Sequence, residues 1–291
     1  ASFAIDAVVV RGTGFDQGGT AHEPINPLVG DDAQAQQGLL IEEWLQKRLT
    51  AHYFPEVKIQ PERQFLYYLV RWYHGQTLAE YRQQLGNPSI NDVVRYGIRL
   101  SRALGALHRL NIVHRDIKPE NIHIDSDDKL RLLDFGVAHC PGLTHDTGAG
   151  VPGTPSFMAP ELFEGHAANA QSDLYAAGVT LYWLLTGHYP YGEIEPFQHP
   201  RFSDPVPPTR YRPDLPMWLE SVVLKAVARD SSQRFETAEE MRLALERGDN
   251  QALQVRRSSP LLHRSPLSVW RNVAAFSLLL NLVLIYALLL R

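Results

Sequence analysis

The sequence is poor in features that mark several common classes of protein. It has one cysteine, Cys140, which excludes a disulfide framework and is typical of a reducing compartment. We expect this lone thiol to be an inert part of the interior. The formal net charge is −4, so the basic excess that nucleic-acid binding requires is missing, and no nucleic acid is expected as a partner. No internal repeat is present.

One long apolar run stands at the C-terminal end. Residues 273–290, VAAFSLLLNLVLIYALLL, carry no charge, and a helix rising about 1.5 Å per residue would nearly cross a hydrocarbon layer about 30 Å thick. Arginines cluster before the run, which keeps the preceding domain in the cytoplasm. We predict a linker at 249–270 and a single-pass anchor at 271–291, held in the lipid of the inner membrane. A buried core helix is the alternative.

Several other segments have the spacing of regular secondary structure. Residues 38–49 carry apolar residues at helical spacing, and residues 63–73, RQFLYYLVRWY, have the composition of a strand. Thr237, with Glu240 three residues later, predicts a capping box. The remaining predictions are strands at 4–10, 121–124 and 129–135, a loop at 137–156, and helices at 90–110, 172–187, 216–230 and 237–248.

The string HRDIKPEN at residues 114–121, followed by the DFG motif that begins at Asp134, is the most specific feature. Phosphoryl transfer needs metal ions on the phosphates, a carboxylate near the attacking hydroxyl, and a positive charge on the transferred group. Asp116 can accept the hydroxyl proton, and Lys118 can reach the transferred phosphoryl group. Asn121 and Asp134, joined by a short hairpin, can bind a metal. The string and its spacing predict a phosphoryl-transfer site.

With these motifs, the chain resembles the eukaryotic-like Ser/Thr protein kinases of bacteria over about residues 38–248. Further motifs follow in family order: GTPSFMAPE at 153–161 and SDLYAAGV at 172–179, which carries Asp173. The resemblance implies an α+β, bilobal protein-kinase-like fold with a mainly helical C-lobe, followed here by the transmembrane helix. It also implies ATP and Mg²⁺ as cofactors, and protein substrates that carry Ser or Thr.

The resemblance also assigns roles to single residues. It implies that Arg234 pairs with Glu161, and that Thr154 contacts the catalytic Asp and Lys. Lys118, two residues after Asp116, is similar to the lysine of Ser/Thr rather than Tyr kinases. His114 is expected to brace the loop by packing and a hydrogen bond, rather than to act in catalysis.

For the nucleotide, the resemblance implies Val70 as gatekeeper, residues 71–73, which include Tyr73, as the hinge, and His123 as the floor of the adenine site. It also requires a strand lysine that holds the α- and β-phosphates and pairs with a helix glutamate. Glu42 is the expected glutamate, with Glu43 next.

The required lysine is missing from the sequence. No lysine occurs before Lys47, which falls within a predicted helix, and Arg11 is the only cation upstream. Gly12, Gly14 and Gly18 resemble a Gly-rich phosphate loop with one residue too many, and a turn after a strand is the favoured interpretation. We therefore expect a reduced or atypical N-lobe. Residues 1–36 form its atypical or truncated start, and residues 37–248 form the kinase domain.

The chain also resembles the kinase half of bacterial proteins that fuse a Ser/Thr phosphatase to a kinase. The resemblance lies in the sequences of segments such as HYFPEV at 52–57 and RYRPDLP at 210–216, and in the apolar tail. This resemblance implies a phosphatase domain or protein as a partner. A membrane-tethered Ser/Thr kinase is the preferred function. The alternatives are a pseudokinase or scaffold that lacks the ATP-anchoring lysine and, less favoured, a small-molecule phosphotransferase.

Overall fold

The computed structural model describes residues 8–12, 43–49, 52–58, 67–140, 154–195, 200 and 202–248. The chain divides into two compact units, Ala1–Leu253 and Gln254–Arg291, and every described residue lies in the first. Among the described residues no helix has the length and apolar character needed to span a membrane. The predicted linker and anchor, at 249–270 and 271–291, lie outside the described residues.

A three-stranded antiparallel sheet forms the N-terminal part of the fold. It contains β1 (Val8–Gly12), β2 (Val57–Lys58) and β3 (Tyr67–Arg71), in the order β1-β3-β2. In β1, Val9 stands opposite Val70 of β3, and Arg11 stands opposite Tyr68. The strands at 8–12 and 67–71 overlap those predicted at 4–10 and 63–73, while residues 4–7 and 63–66 lie outside the described residues. Residues 43–48 are helical (α1), within the helix predicted at 38–49.

A second antiparallel sheet carries the site. It contains β4 (Gly75–Thr77), β5 (Ile122–Asp125) and β6 (Leu130–Leu132), in the order β4-β5-β6. Asp125 Oδ1 closes the β5–β6 turn, because it accepts hydrogen bonds from the main-chain N–H groups of Asp127 (3.0 Å) and Lys129 (2.8 Å). A Cβ on Gly75 would lie 2.0 Å from the carbonyl oxygen of Ile124, so β4 can approach β5 only with glycine there.

The helical core is built around α3 and α5. The helix α5 is apolar and buried on nearly every face, and α3 lies between α5 and α7, while α6 packs on α5. This confirms four predicted helices with slightly different ends. The helices after α1 are α2 (Leu78–Leu85), α3 (Ile90–His108), α4 (Pro160–Phe163), α5 (Ala170–Thr186), α6 (Met217–Ala226) and α7 (Ala238–Arg247).

The predicted capping box of α7 is only half right. Thr237 does cap the helix, since its hydroxyl accepts from the N–H of Glu240 at 3.1 Å. The Glu240 carboxylate, however, accepts from the N–H of Glu236 and from Lys225, so the reciprocal bond to Thr237 is not made. The ion pair with Lys225 and the bond from the Glu236 N–H have replaced the local hydrogen bond from the N–H of Thr237. A complete capping box does occur at α2, and the sequence analysis did not identify it.

One ion pair holds Glu161, the last residue of the GTPSFMAPE motif, to the C-terminal helices. Arg234 donates from Nη1 and Nη2 to the two carboxylate oxygens of Glu161, each at 2.7 Å. The Arg234 side chain is fully buried. The pairing that the kinase resemblance implied is therefore present, and its bidentate geometry fixes α4 against the turn before α7.

Candidate active site

The HRDIKPEN string lies on the loop between α3 and β5, and the DFG motif follows β6. Because β5 and β6 are paired, the two motifs return to the same end of the hairpin. The N–H of Leu133 donates to the carbonyl of Asn121 at 2.9 Å, which sets Asp134 beside the end of the loop. The sequence prediction that a short hairpin brings Asn121 and Asp134 together is confirmed at the level of the main chain.

A buried carboxylate on α5 holds the start of the loop. Asp173, with 1% of its side chain exposed, accepts from the N–H of His114 at 2.8 Å and from the N–H of Arg115 at 3.0 Å. Its Oδ2 also lies 3.0 Å from Nε2 of His108 on α3. Arg115 has a φ of +71°, a left-handed conformation that a residue with a side chain keeps only when its surroundings hold it. Asp173 supplies that support.

Asp116, Lys118 and Thr154 of the GTPSFMAPE motif are in contact. Lys118 Nζ lies 2.8 Å from Oδ2 of Asp116 and donates to the hydroxyl of Thr154 at 3.0 Å. The Thr154 hydroxyl in turn lies 3.4 Å from Oδ1 of Asp116. Thr154 therefore has the contacts that the kinase resemblance implied. The three groups form a partly buried polar cluster that combines a proton acceptor with a positive charge.

Asn121 is oriented by the same carboxylate. Its Nδ2 donates to the main-chain oxygen of Asp116 at 2.9 Å and to Oδ2 of Asp116 at 2.8 Å. These bonds commit the nitrogen arm of the amide, so the oxygen arm, Oδ1, takes no part in them. Asp134 has a φ of +63°, a left-handed conformation typical of a residue under functional constraint.

The donor chemistry fits a magnesium ion. An amide oxygen and a carboxylate are the hard oxygen ligands that Mg²⁺ takes, and Mg²⁺ is usually bound by one or two protein groups together with substrate phosphates. Asn121 and Asp134 provide this pair. The described residues contain no cluster of three or more His, Cys, Asp or Glu that could hold a metal.

His114 braces the loop, as the sequence analysis predicted. It is fully buried, its ring centroid is 4.9 Å from that of Phe135, and Nε2 lies 3.1 Å from the carbonyl oxygen of Leu133. The N–H of Asp116 points at Nδ1 from 3.4 Å. These contacts assign the proton to Nε2. Burial lowers the pKa of His114 against the raising effect of nearby carboxylates, so the ring is held neutral.

The structure describes the predicted nucleotide-binding residues to different extents. Glu42 lies outside the described residues, and for Val70 only the strand backbone is described. Tyr73 follows β3, and its hydroxyl accepts from the N–H of Glu56 at 3.1 Å. The Tyr73 side chain therefore contacts another part of the protein, and only its main chain remains for the predicted hinge role. His123, on β5 beside Gly75, is partly buried, and burial lowers its pKa.

The first two Lys or Arg residues of the chain lie in its N-terminal part, where the kinase resemblance requires a phosphate-anchoring lysine. Lys47 lies on α1, and its Nζ is 3.4 Å from Glu43 of the same helix, so this lysine is paired locally. Arg11, the only cation in the sequence upstream of Lys47, lies on β1, where it stands opposite Tyr68 of β3, the strand that leads to the hinge. The run of valines before Arg11 was the available signal.

Two further contact residues were missed by the sequence analysis. His108, at the end of α3, contacts Asp173, and Arg131, on β6, joins three separate segments. A cavity of about 750 Å³ lies beside Arg131, behind the hinge, and its lining includes none of Asp116, Asn121 and Asp134. Neither residue belongs to a motif, so only tertiary structure shows what it contacts. Cys140, in contrast, behaves as predicted, since it is buried and burial raises its pKa.

The comparisons with known proteins identify this arrangement. The protein kinase domain family matches residues 50–241, which is more than half of the chain, so the chain belongs to the protein kinase family. The relatives that it resembles are bacterial Ser/Thr kinases. PknB, a serine/threonine-protein kinase of Mycolicibacterium smegmatis, is 40% identical over 154 residues, which cover 50% of this chain and 24% of that protein.

Two other bacterial relatives agree. PknB of Mycobacterium tuberculosis is 34% identical over 191 residues, which cover 63% of this chain and 30% of the relative. A probable serine/threonine-protein kinase of Streptomyces coelicolor is 33% identical over 187 residues, with 62% and 28% covered. The chain thus spans less than a third of the length of these relatives.

The neutral state of His114 has a consequence for stability. Below about pH 6.5 the unfolded chain binds a proton on this imidazole that the folded chain does not bind, so the free energy of unfolding should fall as the pH falls. The expected slope is up to about 1.4 kcal/mol per pH unit. In His114→Gln part of this slope should disappear, as measured by urea unfolding between pH 7 and pH 5.

His166→Gln serves as the control, because the His166 side chain is 67% exposed. His123 also has a lowered pKa, so a residual slope is expected in His114→Gln. An identical pH dependence in the unaltered chain and in His114→Gln would contradict the assignment of a buried neutral imidazole.

Proposed function

We propose that this chain is an ATP-dependent protein Ser/Thr kinase that transfers the γ-phosphate to hydroxyl groups of protein substrates. The observation that carries the proposal is the contact of Asp116 with both Lys118 and Asn121, within a loop fixed by Asp173. This contact supports the proposal, because phosphoryl transfer needs a proton acceptor, a cation and a metal ligand close together.

Asp116 orients the attacking hydroxyl and accepts its proton. Its carboxylate is positioned by bonds from Lys118 and Asn121, so it needs little reorganisation when a hydroxyl approaches. Lys118 neutralises negative charge on the transferred group while it remains near Asp116. Family resemblance and the contact between Lys118 and Thr154 both favour Ser and Thr as acceptors.

Asn121 and Asp134 would hold Mg²⁺ with the nucleotide phosphates. When bound, the ion supplies positive charge that offsets the charge of the phosphates. The fixed orientation of the Asn121 amide presents its oxygen arm without a conformational search, because the nitrogen arm is committed to Asp116. Tyr73 and its hinge neighbours, with His123 below, form the proposed adenine site.

A pseudokinase or scaffold is the second candidate. The observation that favours it is the lack of a lysine before Lys47, together with the local pairing of Lys47 and Glu43. A protein that only presents the fold has no need of a metal ligand pair or of an ordered base. The presence of all these groups favours the enzyme.

Substitution of the base tests the proposal. Asp116→Asn keeps the size of the side chain and removes its basicity, so we expect kcat for transfer from labelled ATP to a Ser/Thr protein substrate to fall by a factor of about 100 or more. Asp134→Asn should raise the Mg²⁺ concentration that gives half-maximal transfer. Asp214→Asn, whose side chain is 65% exposed, is the matched control.

Equal transfer by the unaltered chain and Asp116→Asn would contradict the role of the base. If the unaltered chain binds ATP and transfers no phosphate, the pseudokinase candidate is supported instead. Transfer to tyrosine alone would contradict the Ser/Thr assignment.

We further propose that the kinase is tethered to the inner membrane by residues 271–291, with the kinase domain in the cytoplasm. The uncharged run at 273–290 and the arginines before it support this proposal. A Ser/Thr phosphatase domain or protein is the proposed partner, supported by the resemblance of segments such as HYFPEV to fused phosphatase–kinase proteins.

Removal of residues 270–291 tests the tether. The shortened chain should move from the membrane fraction to the soluble fraction, since the apolar run that favours lipid is lost. The measurement is fractionation of cells that produce either form, with carbonate washing as the control for peripheral attachment. Soluble recovery of the full chain would contradict the proposal.

A further inference from the structure

Three segments that are distant in sequence meet around one buried arginine. They are the loop at 52–56 after α1, the hinge at 71–73, and the β5–β6 hairpin, which leads into the DFG motif. That arginine, Arg131 of β6, contacts His52 of the loop, Tyr73 of the hinge and Asp125 of β5, and only 8% of it is exposed. Its neighbours determine how the hinge is held relative to the catalytic hairpin.

The two terminal nitrogens and the flat face of the Arg131 guanidinium have partners in three different segments, while its buried Nε has no hydrogen-bond partner among the described residues. Nη1 donates to the carbonyl oxygen of His52 at 2.6 Å, and Nη2 lies 3.0 Å from Oδ2 of Asp125 on the neighbouring strand. The centre of the guanidinium lies 3.7 Å from the centroid of the Tyr73 ring, within range of a cation–π contact. The Arg131–Asp125 pair is at least nine-tenths buried on both sides, so it is weakly screened by solvent.

Tyr73 extends the connection from Arg131 to the hinge and the loop. Its hydroxyl accepts from the N–H of Glu56 at 3.1 Å, and the N–H of Arg71 donates to the carbonyl of Glu56 at 3.0 Å. The hinge and the loop are thus bonded to each other through both the N–H and the carbonyl of Glu56. A shift of Arg131 would move them together.

The same strand continues directly to the metal ligand. The N–H of Leu132 donates to the carbonyl of Tyr53 at 2.8 Å, and the N–H of Leu133 donates to the carbonyl of Asn121 at 2.9 Å. The ring of Phe135 lies 5.8 Å from that of Phe54, in an edge-to-face arrangement. Arg131 therefore stands at the point where the hinge, the loop and Asp134 are linked.

The cavity of about 750 Å³ makes these polar contacts more important. It opens between the loop at 52–56, the hinge and the β5–β6 turn, so on this side the polar contacts supplement the apolar packing of Phe54 in the core. A planar guanidinium can bond in two directions and stack on a ring at once, whereas an ammonium group acts as a single point charge. The geometry at residue 131 uses all three capabilities.

We propose that Arg131 is a positioning residue for phosphoryl transfer, which sets the hinge that holds adenine at a fixed distance from the Asp134 that holds the metal. This inference rests on the proposed kinase function. Misplacement of reacting groups by about 1 Å can lower a rate by about 100-fold, so loss of the contact should affect both nucleotide binding and turnover.

The test compares steady-state kinetics of the full chain with those of Arg131→Lys and Arg131→Gln. We expect KM for ATP to rise and kcat to fall, with kcat/KM for ATP about 10-fold lower in Arg131→Lys and about 100-fold lower in Arg131→Gln. KM for the protein substrate should stay unchanged. A loss of folded protein alone would lower the apparent kcat and leave both KM values as they were.

Arg131→Gln leaves Asp125 buried without its cation, which can unfold the domain. The double variant Arg131→Gln/Asp125→Asn removes that charge, and Arg131→Lys keeps it paired, so both report on positioning in folded protein. Tyr73→Leu should reproduce the rise in KM for ATP. Arg102→Gln, which removes a half-exposed pair with Glu246, is the matched control for loss of an arginine.

Two results would overturn the inference. If the unaltered chain transfers phosphate and folded Arg131→Lys and the double variant keep its KM for ATP, the proposed function stands and the role of Arg131 does not. If the unaltered chain neither transfers phosphate nor binds ATP with Mg²⁺, both proposals fail. If it binds ATP without transfer, the ATP affinity of the same variants decides, and an unchanged affinity overturns the role.

Discussion

The buried carboxylate of Asp173 is the constraint on which the geometry of the site depends. It is carried by α5, the most completely buried helix of the described core, and it accepts hydrogen bonds from two successive main-chain N–H groups at the start of the catalytic loop. A charge buried this deeply requires such partners. In return, the left-handed conformation at Arg115 is maintained, and the residues that follow turn back towards β5.

From that anchor the other functional groups are placed in sequence. Asp116 is positioned next, and its carboxylate then orients Lys118 and Asn121. The carbonyl of Asn121 accepts a hydrogen bond from the N–H of Leu133, which brings the DFG motif to the same end of the hairpin. His114, neutral and buried, fills the space between the loop and Phe135. The site is therefore an extension of the helical core, with little freedom of its own.

Much of this site could be predicted from the sequence, because its residues are close together in the chain. The roles proposed for Asp116, Lys118 and Asn121 rest on residue type and spacing, and the strand–turn–strand pattern from 121 to 135 predicts that Asp134 returns near them. The bracing role of His114 was also predicted, and its packing on Phe135 and its contact with Leu133 confirm it. Local pattern was sufficient wherever the contact was itself local.

Long-range contacts were beyond such reasoning. Arg131 resembled an ordinary strand residue, and its contacts with His52 and Tyr73 cross about 60 to 80 positions of sequence. The reciprocal half of the α7 capping box failed for a related reason, because Glu240 is drawn to Lys225 of another helix. The position of Arg11 beside β3 also depends on strand pairing, which periodicity does not give.

The most direct test of the account is phosphate transfer by Asp173→Asn in the full chain. The amide keeps the size of the carboxylate but presents an N–H₂ group where an acceptor is needed, so one loop N–H is left without a partner. The account predicts a fall of about 100-fold in kcat, with helical content by circular dichroism unchanged. A folded Asp173→Asn chain that transfers phosphate as fast as the unaltered chain would contradict it.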